Sequence, residues 1–179
     1  MKKTLSVFIS SLIVFCVLTV RYVSDFRTFQ TGIRLLLPVW IEEEETDAFS
    51  SLVRIHYYNF IPVEDLIKES GTVIVSRFDD GQVAFVAKDV GQRLHPRELR
   101  LKYTIAPSLF FTQKKKAKFN VRFASSELRF FNKNELQLSA VRYAVVYVND
   151  YGDAFLAGLT DSTGTQLIKG LAFSAFHTP

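Results

Sequence analysis

Leu99-Arg100-Leu101-Lys102-Tyr103-Thr104-Ile105 decides the fold class of this chain. Apolar and polar residues alternate strictly, and a period of two is the mark of a strand with one buried face. Phe119, Val121 and Phe123 alternate in the same way with Lys118, Asn120 and Arg122. Upstream, Val53, Ile55 and Tyr57 fall on one face and Arg54 and His56 on the other. Ile55, Tyr57, Leu101, Tyr103, Val121, Phe123, Val145 and Tyr147 are therefore expected to be buried in one β core.

Turn signals divide the rest into short strands. Asp79-Asp80-Gly81 joins Thr72–Phe78 to Gln82–Lys88, and Asp150-Tyr151-Gly152 joins Val141–Asn149 to Asp153–Leu159, as hairpins. A last strand is expected within Thr165–Phe173. Pro38 interrupts the apolar run Ile33–Trp40, which suits an edge strand or a strand end. Glu42–Asp47 is expected to be an acidic loop. Val63–Lys68 after Pro62, and Ser125–Asn132 with Ser126 as cap, are expected to be short helices. Short strands with short turns point to a barrel or sandwich, not to a βαβ fold. The two hairpins echo each other, Asp80-Gly81 with Phe85-Val86-Ala87 against Tyr151-Gly152 with Phe155-Leu156-Ala157. Duplication explains this, and so does the chance similarity of two amphipathic hairpins.

The first residues are of another kind. Met1-Lys2-Lys3 precedes Leu5–Val20, which holds no charged residue, and Arg21 ends the run. A basic start followed by an apolar core is an export signal or signal anchor. No small-x-small cleavage pattern follows, so the reading is an uncleaved single-pass anchor, with a cleaved signal as the alternative. Its helix is expected to continue through Tyr22–Phe29 and stop at Gly32. Lys2 and Lys3 favour a cytoplasmic amino terminus and an extracytoplasmic domain, although Arg21, Arg27 and Arg34 pull the other way. The organisation is thus residues 1–30 as anchor and extension, and 31–179 as a β-rich domain. In full, the fold class is mainly β: a membrane-anchor helix followed by a compact β-barrel or β-sandwich with one or two short helices.

With 179 residues the chain has room for one globular domain. Seventeen Phe with only 8 Gly and 5 Pro exclude disordered and collagen-like classes. A single Cys excludes an intramolecular disulfide and a multi-Cys zinc site. Residues 21–90 carry 7 basic and 12 acidic side chains and residues 91–179 carry 13 and 6, an asymmetry expected to compensate itself within one fold.

No constellation points to catalysis. His56, His95 and His177 are scattered, no Gly-x-Ser-x-Gly elbow occurs, and no dinucleotide or phosphate-loop glycine pattern is present. The acidic run lacks the spaced ligands and turning Gly of a calcium loop. The expectation is no catalytic, cofactor or metal site. Lys114, Lys115, Lys116 and Lys118 lie among Phe110, Phe111 and Phe119, and form an exposed turn or a contact with an anionic membrane or partner surface. Nucleic acid is not expected outside the cytoplasm.

The order of features adds a resemblance. Thr31-Gly32-Ile33-Arg34-Leu35-Leu36-Leu37-Pro38-Val39 leads to Asp47-Ala48-Phe49-Ser50-Ser51-Leu52-Val53-Arg54-Ile55-His56-Tyr57. This resembles the GDYxxLxY family of membrane-anchored bacterial proteins. Ser50-Ser51-Leu52 stands in place of Gly-Asp-Tyr, Ile55 in place of the motif Leu, and Tyr57 is the final Tyr. The signature triplet is thus not retained, while the strand pattern of Ile55 and Tyr57 is. The resemblance implies a single anchor, a β-rich envelope domain and the company of multi-spanning membrane proteins, with no activity to carry over. In this reading Ser50, Ser51, Leu52, Ile55 and Tyr57 are a structural strand, the last three acting through packing. The expected function is a non-enzymatic accessory to an integral membrane partner; the alternative is a domain that binds a small ligand or envelope polymer in its interior.

Overall fold

The computed structural model describes residues 2–45, 51–66, 69–106, 120–130 and 138–169. Lys114, Lys115, Lys116, Lys118 and Ser50 lie outside them. Among the described residues, one long helix, α1 (Lys2–Thr31), is followed by ten strands: β1 (Ile33–Glu45), β2 (Ser51–Tyr57), β3 (Ser70–Arg77), β4 (Val83–Lys88), β5 (Glu98–Ala106), β6 (Asn120–Arg122), β7 (Glu127–Phe130), β8 (Tyr143–Val148), β9 (Ala154–Thr160) and β10 (Gln166–Lys169). They form a six-stranded sheet ordered β10-β9-β8-β1-β2-β7 and a four-stranded sheet ordered β4-β3-β5-β6. The two curled sheets enclose one main core, the expected mainly β domain behind an apolar helix.

Alternation places the core. Leu99, Leu101, Tyr103, Val121, Phe123, Val53, Ile55 and Tyr57 are all buried in it. Val145 and Tyr147 are not part of it. They point to the opposite face of β8, where Val145 is buried with Leu36, Phe155 and Ala157, and Tyr147 packs against that cluster. Ala144, Val146 and Val148 take the core side instead. A strand apolar on both faces hides its phase.

Three further expectations are corrected. Glu42–Glu45 is not a loop but the end of β1, with Glu42 opposite Arg54. Glu42 and Glu43 point to opposite faces of the strand, which relieves their repulsion. Pro38 marks neither an edge strand nor a strand end, but the point inside β1 where pairing passes from β8 (Ile33–Pro38) to β2 (Val39–Glu45). Its carbonyl accepts from the Tyr58 N–H. The missing donor thus falls where pairing with β2 is only beginning. Glu127–Phe130 is a strand, β7, not part of a helix. The Ser125 hydroxyl does bond locally to Glu127, but the open edge of β2 captures the segment and Leu128 enters the core. After Pro62, a short 3-10 turn at Val63–Asp65 replaces the expected longer helix.

The two sheets share one plan. Hairpin β3–β4 pairs with β5, which pairs with β6, while hairpin β8–β9 pairs with β1, which pairs with β2. Residues 78–82 and 149–153 close the two hairpins with the same bonds. Gly81 donates to the Phe78 carbonyl and Gly152 to the Asn149 carbonyl, with φ of 90° and 84°. Each hairpin also carries a bulge, at Val86 and at Ala157. Counted through the bulges, Phe85 corresponds to Leu156, so the Phe-Val-Ala and Phe-Leu-Ala stretches do not sit at equivalent positions.

The charge asymmetry compensates itself in part. Asp79 pairs with Arg97 at 3.3 Å and Asp89 with Arg100 at 2.9 Å, each joining the acidic half to the basic half.

Candidate contact surface on the outer face of β1 and β2

β2 divides the motif-equivalent residues between two faces. Ser51 begins the strand, its backbone opposite Glu45 and Phe130. Ile55 and Tyr57 are buried, and the Tyr57 hydroxyl donates to the Ser125 carbonyl at 2.8 Å. Leu52 does not join them. It lies on the outer face with Arg54 and His56, because it differs from Ile55 by an odd number of residues. The packing role expected for Leu52 beside Ile55 and Tyr57 is therefore not seen.

The outer face carries a site that depends on strand register. Trp40, the single tryptophan, is the Cα partner of His56. Their rings stack at 3.9 Å with planes 7° apart. His56 Nε2 lies 3.3 Å from Glu42 Oε2, which fixes the imidazole under the indole. Behind them, Glu42, Arg54 and Glu127 are successive partners across β1, β2 and β7, an acid-base-acid row. Trp40 nevertheless stays 47 % exposed and Tyr58 54 % exposed.

A groove of about 530 Å³ runs beside this pair, lined by Trp40, Tyr58, Glu43, Ser139, Arg142 and Tyr143 among others. The partner change at Pro38 creates it. β8 begins at Tyr143, and beyond the bond from Val39 N–H to the Arg142 carbonyl the chain turns away through Leu138–Ala140. Arg142 is held in place by donating to the carbonyls of Ser139 and Val141. The groove is open to solvent, whereas the space between the sheets is filled by side chains such as Leu35, Leu37, Leu101, Val121 and Leu159.

A second groove, of about 670 Å³, lies where α1 meets the domain. Arg21 and Ser24 face Lys102, Arg122, Phe123 and Asp153 there. Lys102 Nζ is 2.7 Å from Asp153 Oδ1, so part of its charge is matched internally. Arg122, expected on a plain solvent face, is half-buried in this groove. The helix itself is tied down at its end: Thr28 is buried and accepts from Asn149 Nδ2, and Phe29 meets Tyr147 and Phe155 edge-on at 5.0 and 6.1 Å.

Among the described residues no three His, Cys, Asp or Glu side chains converge as metal ligands, and His95 is exposed far along the chain from His56. Sequence reasoning missed Trp40 as a site residue. Its exposure and its partner follow from β1–β2 pairing, which a single strand does not reveal. No protein-family model, curated protein or solved structure matches the chain.

Proposed function

We propose that this protein is a single-pass, membrane-anchored, extracytoplasmic domain that works by contact, as an accessory to an integral membrane protein. The observation that carries the reading is the half-exposed Trp40, braced on His56 beside an open groove and flanked by the charged row of Glu42, Arg54 and Glu127. Tryptophan, tyrosine and arginine dominate the energetics of protein contacts, and they do so when braced in advance. A small-ligand site between the sheets is disfavoured by the filled core, and the open groove offers little enclosure.

The anchor supports the same reading. Ile9–Thr31 is long and apolar enough to cross a membrane, and its window is unburied by the domain. From Arg21 to Thr31 the helix rises about 15 Å without a break. A stiff stalk of that length holds the domain close to the membrane surface, within reach of a membrane-embedded partner. The basic start and the apolar core that follows favour export of the domain. Divergent membership of the GDYxxLxY family belongs to this proposal, supported by a β2 strand that keeps Ile55 and Tyr57 in the core.

The test is crosslinking of the intact protein in its native membranes, followed by purification. The wild-type chain is expected to capture an integral membrane protein, and Trp40→Ala to lose it with only a small fall in the domain's melting temperature. Equal capture by both chains would remove Trp40 from the contact. A carboxy-terminal reporter active only in the cytoplasm would overturn the topology.

A further inference from the structure

The helix carries a pattern that anchoring alone does not require. Phe8, Phe15, Tyr22 and Phe29 recur at every seventh residue, and Phe26 is the helix's remaining aromatic. At 3.6 residues per turn, all five fall within about 60° of arc. Leu12 and Thr19 complete the line at the alternating positions between them, giving the spacing of a coiled-coil seam. Leu12, Phe15, Thr19, Tyr22 and Phe26 are all exposed. The Thr19 hydroxyl is already satisfied by the Phe15 carbonyl, at 2.8 Å, so it can enter an apolar contact. Tyr22 and Phe26 stack on one another with planes 11° apart.

The described part of the domain faces α1 mainly from another side. Arg21 and Ser24, which line the groove between α1 and the domain, and the buried Thr28 lie about 120–180° round the helix from the seam. The last rung, Phe29, also touches the domain, at Tyr147 and Phe155. Positions 21, 24 and 28 are outward ones in a two-helix coiled coil.

We propose that the seam pairs two copies of this chain as parallel α1 helices, through the membrane span and on along the stalk, with the two domains on the outer flanks. The proposal rests on the reading of α1 as a membrane span. A second copy fits because a seven-residue seam is self-complementary under a two-fold axis, where each rung meets its own kind. A strict seven-residue repeat also calls for a partner that follows the same left-handed supercoil. Charge is compatible: Arg21 and Arg27 lie off the seam, and in a parallel pair position 25 faces position 30, which sets Asp25 against Gln30. Lipid offers no hydrophobic drive for helix association, so packing must supply it, and interdigitated rings supply large contact area.

The experiment uses the full chain in membranes with Cys16→Ser, which removes its single native thiol. Single cysteines are placed on the seam (Leu12→Cys, Thr19→Cys, Phe26→Cys) and away from it (Val17→Cys, Val20→Cys, Ser24→Cys), and the membranes are oxidised with copper phenanthroline. The expected result is a covalent dimer at the seam positions in at least fivefold excess over the others. Adding Phe15→Ala and Tyr22→Ala to Thr19→Cys is expected to cut its dimer about tenfold with the domain's melting unchanged. A flat profile, a maximum on the Val17–Ser24 side, or an adduct whose mass is not twice that of the chain would overturn the pairing. Carbonate washing separates the two failures: a chain released from membranes overturns the anchor and the seam together, and a retained chain with a flat profile overturns the seam alone.

Discussion

The indole of Trp40 lies on the imidazole of His56, centroids 3.9 Å apart, and the Glu42 carboxylate holds the imidazole from the side. Trp40→Ala removes one ring from an exposed stack and leaves the core behind it intact. Exposed substitutions of this kind cost little, and the lost stack adds about 0.5–1.5 kcal/mol. The expected outcome is a small fall in melting temperature, measured by circular dichroism, together with loss of the crosslinked partner. A fall as large as that of a core truncation would show that Trp40 holds the fold and not a partner.

Tyr57 is the buried counterpart on the same hairpin. It packs edge-on against Phe123 and donates to the Ser125 carbonyl. Tyr57→Ala is expected to cost about 3–5 kcal/mol and to lose partner association along with the fold. Tyr57→Phe keeps the ring and is expected to cost about 0.5–1.5 kcal/mol. Denaturant titration of both variants checks the pair of values.

Burial also raises the Tyr57 phenol above its ordinary value of 10.0, and raises Tyr103 in the same direction with a smaller contribution from Asp65. A phenol held neutral in the fold stabilises it fully below the unfolded-state value, and that stability is lost as pH rises towards the folded value. Stability is therefore expected to be flat from neutral pH to about 9 with respect to these groups and to fall above about 10. Tyr57→Phe is expected to flatten part of the alkaline fall. An unchanged alkaline profile in that variant would remove Tyr57 as its source.

Much of the fold was legible because its strands have one wet face. Leu99–Ile105 shows its phase in its own letters, and Leu101 and Tyr103 are buried as that phase requires. Val145 and Tyr147 fall outside the main core because β8 is apolar on both sides, its second face packing on Leu36, Phe155, Ala157 and the docked Phe29. Glu127–Phe130 opens with a serine cap that suits a helix, and the free edge of β2 overrides it from a distant part of the sequence. The Trp40–His56 stack is a cross-strand fact, hidden until β1 and β2 are in register. The aromatic seven-residue repeat of α1 stands openly in the sequence, but within the apolar run Leu5–Val20 the aliphatic residues around it mask the row.

Two turns of one design provide an internal comparison. Gly152 and Gly164 hold the same place in residues 149–153 and 161–165, with φ of 84° and 82°. A Cβ at Gly164 meets nothing, whereas at Gly152 it would stand 3.2 Å from the Arg100 backbone. Gly164→Ala is expected to cost only the left-handed backbone term, about 1–2 kcal/mol. Gly152→Ala should cost more, because the hairpin must also shift away from β5 and weaken the bond from Lys102 N–H to the Gly152 carbonyl. Equal costs would mean that the β8–β9 tip is free to move off β5.

Gly32 decides whether the anchor and the domain move as one body. Its N–H donates to the Thr28 carbonyl at 2.8 Å and ends the helix, and a Cβ there would collide with that same carbonyl and press on the backbone of Val148. Gly32→Ala must therefore pull the last turn of α1 away from β8. The contacts at stake are the Thr28–Asn149 bond and the seat of Phe29 on Tyr147 and Phe155. The main core lies on the other face of β8, with Val146 and Val148, and does not depend on them. The expected outcome is a folded domain on a loosened stalk. Spin labels at Ser24→Cys and Asp150→Cys, in a Cys16→Ser background, should report a single narrow distance in the parent and a broad one after Gly32→Ala, with melting of the domain lowered only slightly. Phe29→Ala, which removes the seat without disturbing the backbone, should broaden the distance in the same direction. A narrow distribution in both variants would show that the stalk is held by something other than this joint.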